Sequence, residues 1–178
     1  MHFSDIKRHL RPYVMVANRK TTINHAFASA VASCDEYDET RVKAAILELG
    51  QDPDLELSCV YCGKAAETWD HVHATVKGSV FSGHGHRLGN LLPCCKPCNS
   101  KKGNKDWQQY LLQVPVEASA RERSLKVIVA YLEKYQILDA LPEGGADYQE
   151  LARIRTQVLL LLAEGDAIAS RIRAKNAA

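Results

Sequence analysis

The stretch Leu57–Trp107, LSCVYCGKAAETWDHVHATVKGSVFSGHGHRLGNLLPCCKPCNSKKGNKDW, contains five of the six cysteines of the chain. Four of them form two C-x-x-C pairs, Cys59 with Cys62 and Cys95 with Cys98. Two such pairs supply four thiolates, which match the tetrahedral coordination of Zn²⁺ and leave no open position on the ion. The spacing therefore predicts a structural zinc site, whose binding would contribute on the order of 10 kcal/mol to folding.

Cys94 leaves one choice open, because Cys94 and Cys98 would form a C-x-x-x-C pair. We favour Cys95 as the ligand, since Gly63 and Pro97 suit the tighter turn of a C-x-x-C pair. A disulfide framework is the competing interpretation, but no apolar export segment accompanies these cysteines. The sixth, Cys34, stands in an Ala/Val-rich segment and is expected to be a small buried apolar residue.

Three polar motifs accompany the cysteine pairs: Trp69-Asp-His-Val-His73, Gly89-Asn-Leu-Leu-Pro93 and Cys98-Asn-Ser-Lys-Lys-Gly103. With the two C-x-x-C pairs, their order resembles that of the HNH endonuclease family, over about residues 57–107. The resemblance implies a ββα-metal core. It also implies a metal-dependent DNA endonuclease that leaves 5′-phosphate and 3′-hydroxyl ends. Within that family, the chain would be a restriction nuclease or another defence nuclease.

The chemistry of phosphodiester hydrolysis assigns a role to each motif residue. His71, with an ordinary pKa of about 6.5, can be neutral and take a proton from water as the general base. Asp70 and Asn99 offer hard oxygen ligands to one Mg²⁺ or Mn²⁺ ion, provided that both oxygens reach the same ion. The resemblance implies that Asn90 holds the connecting loop by side-chain hydrogen bonds and so fixes His71.

Basic residues predict contacts with the phosphates of DNA. Residues 59–107 carry seven Lys or Arg against three acids, and residues 1–30 carry five against one. Residues 31–58 between them are acidic, and a solvated helix face explains residues 1–30 equally well. Three histidines are expected to contact phosphate or solvent only, although His86 could replace Asn99 as a ligand: His73, His84 and His86. Four lysines near the motif helix are predicted to bind phosphate: Lys96, Lys101, Lys102 and Lys105.

The chain is predicted to be an α+β protein in three parts. Residues 1–56 form an N-terminal helical region, residues 57–112 the nuclease core and residues 113–178 a C-terminal helical region. Within residues 57–112, Trp107 is expected to anchor the later helices in the core. The predicted helices outside the nuclease core are one after Ser4, then 22–32, 40–49, 121–135 and 147–175, with a break at 142–146.

The last helix carries a regular apolar seam. Its members follow a three-four spacing, with Gly165 at the missing step: Leu151, Ile154, Val158, Leu161, Ile168 and Ile172. Such a seam favours a homodimer, which would bring together the two sites that double-strand cleavage needs. Packing of the seam against the N-terminal helices of its own chain explains the pattern equally well.

Two other functions fit parts of the pattern. A noncatalytic zinc-ribbon-like module that binds nucleic acid would use the four cysteines and the lysines, but not Asp70, His71 and Asn99 together. A nuclease acting on RNA or on structured DNA would use all of them, because lysines that contact phosphate do not read bases. The sequence shows neither a signal peptide nor a membrane span, so we expect a cytoplasmic protein.

Overall fold

A computed structural model describes residues 2–140 and 145–176 of the chain as a mixture of helices and short antiparallel strands. The predicted α+β class is confirmed at this level. None of the described helices is both long and apolar enough to cross a membrane. The helices are α1 (Met15–Ser29), α2 (Glu39–Glu48), α3 (Lys96–Lys102), α4 (Trp107–Gln113), α5 (Ala118–Tyr135) and α6 (Ala146–Asn176). The strands are β1 (Thr68–His71), β2 (Val76–Lys77), β3 (Val80–Phe81) and β4 (Leu91–Cys94).

The chain divides into two compact units, one of residues 28–141 and one of residues 1–27 with 142–178. The first unit contains α2 to α5 and all four strands, and residues of α2, α3, α4, α5 and β4 contribute to its apolar core. Helices α2 and α5, from outside the predicted nuclease core, pack against each other, and α5 also packs against α4. Ile128 of α5 and Leu92 of β4 are both wholly buried, and each contributes roughly 1.5 to 3 kcal/mol by burial. The predicted boundaries at residues 56 and 112 therefore fall within one shared core.

Strands β1 and β4 form a two-stranded antiparallel sheet in which Asp70 lies opposite Leu92 and His71 opposite Leu91. Because side chains alternate along a strand, Trp69 and His71 lie on one face of β1 and Asp70 on the other. The burial agrees, since Asp70 is buried and Trp69 is exposed. Helix α3 follows β4 directly and packs against β1. The small sheet thus joins the His71 motif to the second cysteine pair.

The turn before β4 is held against the end of α5. A side chain at Gly89 would place its Cβ 2.1 Å from the carbonyl oxygen of Tyr135, so only glycine fits there. The hydroxyl of Tyr131 lies within hydrogen-bond distance of the carbonyl oxygens of Leu88 and Leu91, which share its one hydrogen as acceptors. These contacts fix the backbone on both sides of Asn90.

In the second unit, α1 begins at Met15 rather than at the predicted Thr22. Pro12 disfavours an earlier start, and the carboxylate of Asp166 in α6 accepts hydrogen bonds from the backbone N–H groups of Met15 and Val16 at 2.7 and 3.0 Å. A carboxylate at this end stabilises the first turn of a helix. Gly165 lies beside Met15, where an added Cβ would come within 2.7 Å of the Met15 methyl carbon. Part of α6 therefore does contact α1 of its own chain.

Other helix predictions have mixed outcomes. The segment after Ser4 forms a 3-10 turn over Phe3–Arg8 instead of an α-helix. Helix α2 agrees with prediction and begins one residue early because the side chain of Asp38 caps it. Trp107 is buried in the core as expected. The predicted break at 142–146 falls largely on residues 141–144, which lie outside the described residues.

Candidate functional site

The four cysteines of the two C-x-x-C pairs come together in space. One ligand atom from each residue lies within 4.8 Å of all the others in the group Cys59, Cys62, Cys95 and Cys98. Zinc–sulfur bonds of about 2.3 Å place the sulfurs of a tetrahedral site about 3.8 Å apart. The Sγ atoms of Cys62 and Cys95 are 3.6 Å apart, close to that value. The four thiols therefore fit a structural Zn²⁺, as predicted.

Local backbone geometry sets the two pairs in place. Gly63 adopts φ +73°, a value that side-chain-bearing residues rarely take, and its N–H donates to the carbonyl oxygen of Cys59 at 2.8 Å. Cys95 is the N-cap of α3 and Cys98 lies in its first turn. A loop thus supplies one pair and the start of a helix supplies the other.

Cys94 lies beside the cluster without belonging to it. It is wholly buried, and its Sγ is 3.8 Å from that of Cys59. The hydrogen bond between the two sulfur atoms lowers the pKa of Cys59 to about 4. Since zinc binds thiolates, this contact favours the binding form of Cys59.

Asp70 is held by two partners inside the protein. Its carboxylate accepts a hydrogen bond from the Tyr61 hydroxyl at 2.8 Å and forms an ion pair with the Lys102 ammonium at 3.0 Å. Only 2% of Asp70 and 1% of Lys102 is exposed. Burial raises the pKa of Asp70, and Lys102 and Tyr61 act in the opposite direction. Lys102 also donates to the carbonyl oxygen of His71 at 2.6 Å.

These contacts do not fit the predicted Mg²⁺ or Mn²⁺ site. Both carboxylate oxygens of Asp70 already accept hydrogen bonds, so a cation would have to displace the Lys102 ammonium. Asn99 is half-buried, and its amide nitrogen donates to the carbonyl oxygen of Trp69 at 3.4 Å. No other cluster of three or more His, Cys, Asp or Glu ligands occurs among the described residues.

His71 forms a pair with His86. The Nε2 atom of His71 lies 2.9 Å from Nδ1 of His86, and the rings meet edge to face with centroids 5.0 Å apart. Burial lowers the pKa of His71, and the charge of His86 lowers it further. His71 therefore stays neutral to a lower pH than an exposed histidine, which suits the predicted base. The sequence assigned His86 only to contact with phosphate or solvent, or to ligand replacement.

Asn90 connects the two segments that carry these histidines. Its side-chain oxygen accepts from the N–H of His73 at 2.8 Å, and its amide nitrogen donates to the carbonyl oxygens of His73 and Gly85, each at 3.0 Å. Asn90 is itself buried. The hydrogen bonds that the resemblance implies for Asn90 are present, and they hold the residues next to His86 as well as those next to His71. Its importance for activity stays a prediction.

The remaining histidines of the segment form a second pair. The rings of His73 and His84 are stacked with centroids 4.3 Å apart. Burial lowers the pKa of both residues. They are packed against each other, and contact of either histidine with phosphate stays a prediction.

The predicted phosphate-binding lysines separate into two groups. Lys96, Lys101 and Lys105 are exposed, and Lys101 and Lys105 line a cavity of about 430 Å³ beside the cysteine cluster. Lys96 forms an exposed ion pair with Glu67 at 3.3 Å. Lys102 requires a correction, because its ammonium is enclosed by Asp70 and the carbonyl oxygen of His71 and cannot reach a phosphate.

Comparisons with known proteins add no assignment. No protein-family model, curated protein or solved structure matches the chain. The site is therefore interpreted from its own geometry.

Sequence reasoning missed three features of this site. The Asp70–Lys102 pair had no signal in the sequence, because its two residues are 32 positions apart. Tyr61 lies between the first two cysteines, a position that could have suggested a polar contact near the zinc site. Cys34 was expected to be buried and is exposed; it lies in a parallel bridge to His86.

Proposed function

We propose that the chain is a zinc-stabilised endonuclease that hydrolyses DNA phosphodiester bonds to 5′-phosphate and 3′-hydroxyl ends. The observation that carries the proposal is the His71–His86 pair at the end of β1, with the segments around both histidines tied together by Asn90. The order of β1, β4 and α3 with four clustered cysteines supports a ββα-metal core. A restriction-type or other defence role is the setting that we propose for such an enzyme.

His71 supplies the base in this proposal. Its neutral imidazole accepts a proton from water, whose oxygen bonds to phosphorus while the bond from phosphorus to the 3′ oxygen breaks. The released 3′ oxygen takes a proton from solvent. His86 orients the His71 ring and determines which nitrogen carries its proton. Because Asp70 does not fit a hard ion in its present contacts, no step of the proposal passes through magnesium or manganese.

Positive charge on the protein supplies the attraction for DNA. Lys101 and Lys105 are exposed on and beside α3, next to the cysteine cluster. Contacts of this kind bind phosphate without reading sequence. The lysines therefore support binding to nucleic acid in general, and DNA rather than RNA is the part of the proposal that experiment must separate.

The test is cleavage of supercoiled plasmid by the purified, zinc-loaded protein, with Mg²⁺, with Mn²⁺ and with neither. We expect the His71→Ala variant to bind DNA as the wild type does and to lose cutting by a factor of at least about 100, the usual contribution of a general base. His25→Ala, an exposed change in α1, is the control and should cut normally. Undiminished cutting by His71→Ala would overturn the assignment of the base.

The products extend the same test. Sequencing of the cut ends separates one recognition motif, expected for a restriction-type enzyme, from scattered ends of a general nuclease. A matched RNA substrate, incubated in parallel, separates the two nucleic acids. Cleavage of RNA alone would contradict the proposed substrate.

A noncatalytic, zinc-stabilised nucleic-acid-binding module is a second candidate, and one observation favours it. Asp70 has a structural partner in Lys102, so its presence beside His71 does not by itself require catalysis. This candidate predicts binding to DNA by the wild type and no cutting under any ion condition. It also predicts that His71→Ala changes neither result.

A further inference from the structure

An apolar cavity of about 290 Å³ lies on the His71 side of the sheet, within the unit of residues 28–141. Its wall includes His86, which is the partner of His71. Leu91, which lies opposite His71 in the register of β1 and β4, is also part of the wall. The cavity therefore adjoins the proposed catalytic pair through His86. Its volume is near the lower end of the range of small-ligand sites, roughly 300 Å³.

Two accessible aromatic residues line this cavity. Trp69 belongs to β1 and shares a strand face with His71, yet 46% of it is exposed. Tyr37 is 80% exposed. A large exposed aromatic side chain beside a cavity offers a flat surface on which another ring can stack. Two aliphatic side chains of α2, Val42 and Ile46, also line the cavity.

Among the polar residues of the cavity, Glu36 offers a carboxylate to a neutral ring with N–H groups. Asp35 lines the cavity, but its carboxylate is already paired with Arg87 at 3.0 Å and Arg41 at 3.5 Å. Glu36, which is exposed, adds a second carboxylate to the lining. Carboxylates repel phosphate and accept hydrogen bonds from exocyclic amino groups.

We propose that this cavity receives one unstacked nucleobase of the nucleic acid strand, with Trp69 as the stacking surface and Glu36 as an acceptor for an exocyclic amino group. The inference rests on the proposed function for its substrate class and adds how the strand is placed. A base seated against Trp69 sets the adjoining phosphate on the side of the sheet that carries His71. In a duplex, the base must first leave the stack, so single strands and mismatched sites are favoured.

The test measures binding without cutting, with phosphorothioate linkages in both oligonucleotides, because these linkages resist hydrolysis and keep the negative charge of the backbone. A single-stranded oligonucleotide is compared with one of the same length in which abasic sites replace the bases, so that the phosphate charge is identical. We expect the base-bearing strand to bind more tightly and to quench the fluorescence of Trp69. Trp107 is 4% exposed, so its fluorescence provides a constant background. Adenine or cytosine strands should bind more tightly than thymine strands, since thymine lacks an exocyclic amino group.

The variants assign this difference to the cavity. Trp69→Ala should reduce affinity for the base-bearing strand by about 5- to 150-fold and leave the abasic strand unchanged, and Trp69→Phe should restore much of it. Glu36→Gln should reduce the preference for amino-bearing bases. Phe3→Ala removes an aromatic residue that is 95% exposed, lies in the other unit and should change neither affinity.

Equal affinity of the wild type for base-bearing and abasic strands would overturn the inference, and so would an equal loss for both strands in Trp69→Ala. Another occupant of the cavity, such as an apolar side chain of a partner protein, predicts that equality. The proposed function is tested separately. If the wild type binds the base-bearing strand more tightly through Trp69 but does not cut plasmid, the base site is supported and the nuclease proposal is contradicted. If the wild type cuts plasmid but binds base-bearing and abasic strands equally, the nuclease proposal is supported and the base site is contradicted.

Discussion

The ammonium of Lys102 lies 3.0 Å from the carboxylate of Asp70, and both side chains are almost completely enclosed by protein. A buried pair of this kind is costly to break, because removal of one partner leaves the other charge without compensation. The pair connects α3 to β1 and so links the segment that carries two cysteines to the strand that carries His71.

Loss of Lys102 should therefore destabilise the fold. We expect Lys102→Met to lower the free energy of unfolding by about 3 to 5 kcal/mol, and the double variant Asp70→Asn/Lys102→Met to recover part of the loss. The control is Lys126→Met, which breaks an exposed pair with Glu122 and should cost about 1 kcal/mol or less. Urea unfolding of the zinc-loaded proteins measures all three. A double variant no more stable than Lys102→Met would show that the pair is not the cause.

Cleavage should persist below the ordinary pKa of histidine. Burial lowers the pKa of His71, so the neutral base is kept at pH values where an exposed histidine is already protonated. The acidic limb of the pH–rate profile should then have its midpoint below about 6.5. The same shift makes stability fall as the pH drops through this window, because the unfolded His71 takes up its proton first.

The partner histidine provides the check on that profile. Since the charge of His86 contributes to the lowered pKa of His71, His86→Ala should move the acidic limb towards higher pH. His84→Ala changes a histidine that is not among the causes of this shift and should leave the limb in place. If the midpoint of the acidic limb does not change in His86→Ala, or changes equally in His84→Ala, His86 does not set the pKa of His71.

Zinc content should distinguish the two adjacent cysteines. Cys95→Ser removes a member of the cluster, and we expect the protein to lose stoichiometric zinc and most of its cooperative unfolding transition. Cys94→Ser should retain one zinc per chain, because Cys94 lies outside the cluster. Elemental analysis after gel filtration measures the zinc, and the exposed Cys34→Ser is the control. Loss of zinc from Cys94→Ser and not from Cys95→Ser would reverse the ligand assignment.

The proposed homodimer depends on α6, which has no buried residues in the described structure. Ile168 and Ile172 of the apolar seam are 43% and 54% exposed. If a second copy covers the seam, the wild type is a dimer in light scattering and Ile168→Asp is a monomer. Leu160→Asp introduces the same charge at an exposed position outside the seam and should leave the dimer intact. A monomeric wild type at working concentration removes the proposal.

Sequence spacing predicted the parts of the molecule that local chemistry determines. The C-x-x-C spacing predicted the cysteine cluster, because each pair closes its own turn. The periodicity of apolar residues predicted the ends of α2, α5 and α6 to within a few residues. The start of α1 and the environment of Asp70 were not predictable in this way. Each depends on a partner distant in sequence, Asp166 for Met15 and Lys102 for Asp70, and one sequence gives no register for such contacts.

The hydrogen bonds of Asn90 close residues 73–85 into a loop whose two ends are held at one point. The hairpin of β2 and β3 lies within this loop, with its turn at Gly78 and Ser79. Changes in the length of that turn are thus decoupled from the spacing between His71 and His86. The turn of the hairpin can therefore differ in length while the histidine pair keeps its geometry.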